Sequence, residues 1–125
     1  MKKALFASLI LLALTAAALA PTNPLVGRWQ KKFPNGDVLL ASFRPDGTYD
    51  LFVNSKAFVS GQYTLKQDDF AVSDGHCNLT YFGTYKVRFY SGSDSLRFTL
   101  VQDSCRSRRQ GTSGLVLGRV KTTKP

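Results

Sequence analysis

Residues 83–101 read GTYKVRFY, then SGSD, then SLRFTLV. In the first run Tyr85, Val87 and Phe89 alternate with Lys86, Arg88 and Tyr90. In the last, Leu96, Phe98 and Leu100 alternate with Arg97 and Thr99. Period two with one apolar face marks half-buried antiparallel strands. The Ser91–Asp94 segment between them is made of turn-forming residues. The stretch is therefore a hairpin. Similar turn clusters recur through the chain, at Pro34-Asn35-Gly36-Asp37, Pro45-Asp46-Gly47, Asn54-Ser55-Lys56, Gln67-Asp68-Asp69 and Ser73-Asp74-Gly75. The runs between turns are rich in β-branched and aromatic residues, as strands are. They predict strands at Val26–Phe33, Val38–Arg44, Thr48–Val53, Val59–Lys66, Phe70–Ser73, Leu79–Tyr90, Ser95–Val101 and Gly114–Val120. Gln102–Ser113 reads as the longest loop, without a helix. About eight strands joined by short loops predict an all-β, antiparallel, up-and-down barrel, since closure removes both sheet edges. An open β-sandwich is the alternative.

Composition supports this class. All eight acids among the 125 residues are aspartates. Without glutamate, and with alanine concentrated in the leader, the remainder lacks strong helix formers. The length allows one domain. One His and two Cys are too few for a zinc or di-iron centre, and no metal or cofactor is expected.

Residues 1–20 read as an address. Met1-Lys2-Lys3 is followed by an apolar run and then by TAAALA. That order is a secretory signal peptide, expected as a helix, with cleavage after Ala18 or Ala20. Residues 21–125 form the barrel domain, secreted or periplasmic. Export makes a Cys77–Cys105 disulfide the expectation. The hairpin register agrees, because it carries both cysteines to the same end of the paired strands. The net charge of +9 drops by two with the loss of Lys2 and Lys3.

Leu25-Val26-Gly27-Arg28-Trp29 resembles the G-x-W signature that opens the first strand of lipocalins and related calycin barrels. The turn PDGTY at 45–49, GTYKV at 83–87 and the Cys-x-x-x-Arg spacing of Cys105 and Arg109 are similar to small secreted bacterial lipocalin-like domains. The resemblance implies that Trp29 plugs one barrel end and that Arg119, from the last strand, packs across its indole. A cation over that face gains about 0.5–2 kcal/mol. Barrel, aromatic interior and arginine-rich loop together point to a non-enzymatic, lipocalin-like protein that binds a small apolar or amphipathic ligand, an anionic one included.

The candidate site residues fall into three groups. Tyr49, Phe52, Tyr63, Tyr85, Phe89 and Phe98 are candidate pocket walls, with service as plain core the competing reading. Arg106, Arg108 and Arg109 are a candidate anion site, because guanidinium forks match carboxylate and phosphate; a solvated loop is the competing reading. His76 and Cys77 are adjacent, and neighbouring strand residues diverge, so no catalytic pair is expected and the chain reads as no enzyme. Lys31, Lys32, Lys86, Arg88 and Arg97 lie among aromatics, but secretion argues against nucleic acid and suits an anionic envelope surface. A monomer is expected. If the barrel is hollow, it binds a small ligand. If it is filled, it acts through its loops, as an envelope-surface interaction protein or protease inhibitor.

Overall fold

A computed structural model describes residues 23–121. The leader, with Ala18 and Ala20, lies outside them, as does the tail 122–125. Eight strands follow one another in space as in sequence and close into an antiparallel barrel. They are β1 (Gly27–Lys32), β2 (Val38–Phe43), β3 (Thr48–Val53), β4 (Lys56–Lys66), β5 (Asp69–Asp74), β6 (Gly83–Tyr90), β7 (Ser95–Gln102) and β8 (Val116–Arg119). Closure is made by Trp29 opposite Arg119 and Gln30 opposite Gly118. The architecture is consistent with a calycin-like barrel.

Local chemistry sets the hairpins. At the β2–β3 turn, Asp46 Oδ1 accepts from the Thr48 amide and hydroxyl at 3.0 and 2.6 Å, and Gly47 takes φ +87°. An Asx-type bond plus a left-handed glycine reverses the chain in few residues. Two register shifts interrupt the ladders. In β4, Val59 faces Leu51 and Ala57 faces Phe52, leaving Phe58 as the extra residue. In β7, Leu100 faces Tyr85 and Gln102 faces Thr84, leaving Val101 over. A bulge of this kind re-aims side chains that strict alternation would send elsewhere.

Against the sequence expectation, β4 begins at Lys56 rather than Val59 and β6 at Gly83 rather than Leu79, and one segment changes type. Residues Arg106–Thr112 form a helix, α1, inside the segment read as a plain loop. Seven residues with a glycine are too few to hold a helix by propensity. Tertiary contacts, described below, hold it across one barrel end.

The two ends differ. At the base, Leu25 and Trp29 are fully buried. Trp29 Nε1 donates to the Leu25 carbonyl at 2.9 Å. The Arg119 guanidinium carbon stands 4.3 Å from the Trp29 ring centroid. Its nitrogens donate to the carbonyls of Ser93, Val26 and Pro24 at 3.1, 3.1 and 2.7 Å, so the rigid guanidinium fork ties three chain segments together. Above this floor, Phe43 meets Tyr63 edge-on at 5.1 Å and Phe70 lies 4.9 Å from Phe98. The other end carries the 33–37 and 54–55 turns, the 75–82 loop and α1. There the disulfide Cys77–Cys105 joins the 75–82 loop to the start of α1, with a Cα–Cα distance of 5.9 Å.

Candidate binding cavity

Between the aromatic floor and α1 the barrel encloses a cavity of about 320 Å³. Its walls are apolar. Leu39, Ala41 and Phe43 come from β2, and Tyr49, Leu51 and Val53 from β3. Phe70, Val72 and Phe98 face them, and Leu115 and Leu117 close the side towards β8. Strand alternation explains every second residue on β2 and β3. The β4 bulge explains why consecutive residues, Phe58 and Val59, both reach the wall. Phe58 is 57% exposed and Phe33 37% exposed. As wall residues that also meet solvent, they mark the mouth.

A polar cap lies over part of this space, formed by Asp74, His76 and, from α1, Ser107, Arg108 and Thr112. Its centre is a buried charge group. Arg108 Nε and Nη2 donate to Asp103 at 2.7 and 2.9 Å, and Nη1 donates to Asp74 Oδ2 at 3.0 Å. The side chains of Arg108, Asp74 and Asp103 are 6%, 5% and 0% exposed. Asp103 also accepts from the Tyr85 hydroxyl at 2.6 Å and the Cys105 amide at 2.9 Å. Asp74 Oδ1 accepts from the His76 amide at 2.9 Å. Gly83 makes room for the group: a Cβ there would lie 2.3 Å from the Asp103 carboxyl.

Burial alone would raise the Asp103 pKa. The Arg108 guanidinium, the Tyr85 hydroxyl and the Cys105 amide outweigh it and hold the carboxyl below its ordinary value. Burial likewise opposes the charge on Arg108, and the two carboxylates more than offset it, so its pKa rises. The Tyr85 hydroxyl is pushed up by burial and then by Asp103. Two carboxylates with one guanidinium leave the group with a formal excess of one negative charge.

The candidate pocket residues separate. Tyr49 and Phe98 line the cavity. Phe52 sits between the wall residues Leu51 and Val53 and so alternates to the outer face. Phe89 packs on Trp29 at 6.1 Å, in the floor. Tyr63 donates its hydroxyl to the Arg44 carbonyl at 2.6 Å beside the base, and Tyr85 turns to Asp103. The arginine trio separates as well. Arg108 is inward and paired, Arg109 Nη1 donates to the Asp103 carbonyl at 2.9 Å, and Arg106 is exposed. His76 Nε2 lies 3.3 Å from the Phe58 carbonyl oxygen, and Cys77 is consumed in the disulfide.

In the sequence Asp74 reads as a turn residue and Asp103 carries no signal of its own. The signal lies in the pair: each aspartate precedes a half-cystine by two or three positions. A bridge between those cysteines brings two carboxylates together, and burying both requires a cation. No protein-family model matches the chain, and no curated protein matches it.

Proposed function

We propose that the protein is a secreted or periplasmic, lipocalin-like binding module that holds one small apolar or amphipathic molecule inside the barrel. The observation that carries this reading is the apolar cavity of about 320 Å³. An eight-stranded barrel is either filled by its own side chains or holds one small ligand. At about 30 Å³ per water-sized volume, the space suits a molecule of about ten non-hydrogen atoms, near the lower end for ligand pockets. Burying an eight-carbon chain at about 0.8 kcal/mol per methylene supplies about 6 kcal/mol, from which the cost of immobilising the molecule is subtracted. Binding rather than catalysis is favoured because the ionisable cap groups are engaged with one another or with backbone. Asp74 is bonded to Arg108 and to an amide, and the His76 ring faces a carbonyl rather than a nucleophile. The bridged cysteines suit an oxidising compartment.

The test is a methyl NMR titration with 1-octanol. Leu39, Leu51, Val72 and Leu115 methyls are expected to shift together and saturate, while Leu25 at the base does not. Resonances that stay still up to the solubility limit of the alcohol would overturn the reading. Native mass spectrometry of protein from its own envelope then identifies the physiological occupant.

A further inference from the structure

The cap has free hydrogen-bonding capacity of a particular kind. A guanidinium carries five N–H donors. Three of those on Arg108 are taken by Asp103 and Asp74, leaving one on each terminal nitrogen. Asp74 receives one bond on each oxygen, and each oxygen can accept another. Asp74 and Arg108 both line the cavity. The cavity wall therefore includes an acceptor residue and a donor residue, each with unused capacity, in a group carrying one excess negative charge.

A hydroxyl both donates and accepts, so it satisfies both neighbours without adding charge. A carboxylate accepts only. It also brings a second excess negative charge into a site where charges interact far more strongly than in water. Lys31 is not part of the cavity wall, its ammonium standing 5.5 Å over the Phe33 ring, and neither is Arg109, whose Nη1 donates to the Asp103 main-chain carbonyl. We infer that the cavity selects hydroxyl-bearing apolar molecules against carboxylates of the same chain length, and that Asp74 sets this selection. The inference rests on the reading that the cavity takes a small molecule, and it runs against an anionic ligand for the arginine-bearing segment.

The experiment measures Kd at pH 8 for 1-octanol, octanoate and octylammonium, by methyl NMR or calorimetry. At that pH alkyl carboxylates are ionised. Octanol is expected to bind about tenfold or more tightly than octanoate, a difference of about 1.4 kcal/mol. Any apolar pocket disfavours a carboxylate on desolvation alone, so two comparisons decide. Octylammonium and octanoate are both charged, and the excess negative charge predicts that the ammonium binds more tightly. Asp74→Asn removes the excess charge and is expected to shrink the octanol-to-octanoate ratio to about threefold or less, mainly through tighter octanoate. Octanoate binding as tightly as octylammonium would overturn the inference without any variant. So would a ratio unchanged by Asp74→Asn. In either case bound octanol leaves the cavity reading standing. If none of the three perturbs the cavity methyls, the cavity reading falls and this inference with it.

Discussion

Arg108 is the residue on which the capped end depends. Its pairing with Asp103 and Asp74 is not by itself evidence of added stability, because desolvating three charges offsets most of their attraction. Disturbing the arrangement is another matter. Gly83→Ala would drive a methyl into the Asp103 carboxyl, which cannot retreat without leaving Arg108. We expect a loss of about 2–3 kcal/mol, read by urea denaturation. Gly118→Ala, with open space at its Cβ, should stay within about 0.5 kcal/mol. Acid should strike the same group. The folded Asp103 pKa lies below its ordinary 3.8, so the unfolded chain binds the proton first as pH falls. The stabilisation is full well above pH 4 and disappears as pH drops through the folded value. Urea midpoints should be level from about pH 7 to 5 and fall below about pH 4. Asp46 and Asp50 are held low by hydrogen bonds at the surface, so Asp103→Asn should flatten only part of that limb.

At the scale of elements, α1 is a helix held from outside. Its start is bonded through Cys105 to Cys77, the Cys105 amide reaches Asp103, and Arg108 anchors the inner side. The Ser104 amide also donates to the Tyr81 hydroxyl at 2.9 Å, a second tie between the α1 segment and the 75–82 loop. The bridge spans 28 residues, for which loop-closure entropy gives roughly 3–4 kcal/mol. We expect the double variant Cys77→Ser, Cys105→Ser to lose about that much. Amide exchange should accelerate first in α1 and the 75–82 loop, with β1–β3 retaining their protection. Unchanged protection of α1 in that variant would show that the ion pairs alone hold the helix. The β4 bulge acts at the same scale, adding one aromatic ring to the mouth without changing the strand count.

At the scale of the whole molecule, the described residues form a barrel filled at one end and hollow at the other. Trp29, Phe89 and Tyr63 occupy the base, whereas the upper half is walled by aliphatic residues together with Tyr49, Phe98 and the mouth rings Phe33 and Phe58, around a cavity of about 320 Å³. Ala41, fully buried on that wall, is the smallest apolar side chain lining it. Ala41→Leu adds three carbons, about 2.4 kcal/mol of potential burial, against overpacking that costs about 1–3 kcal/mol. We expect thermal stability to change little and octanol affinity to fall about tenfold or more, measured by the same titration. Unchanged affinity would place the alcohol outside the cavity.

The strand count, the turn positions and the closed meander were legible in the sequence because they follow from local rules. Alternation has period two, and Asp, Asn, Gly and Pro turn the chain within four residues. The Cys77–Cys105 bridge was legible for a related reason: a hairpin register places residues far beyond its own turn. Tertiary structure alone decided the rest. Whether Phe58 faces the cavity depends on one bulge, and whether 106–112 is helical depends on partners outside the helix. Arg108 turns inward because Asp74, 34 residues away, and Asp103 are buried beside it and need a cation. The cavity is likewise a volume left over when side chains from β2 to β8 meet. A difference of that kind belongs to no segment, so no segment of the sequence announces it.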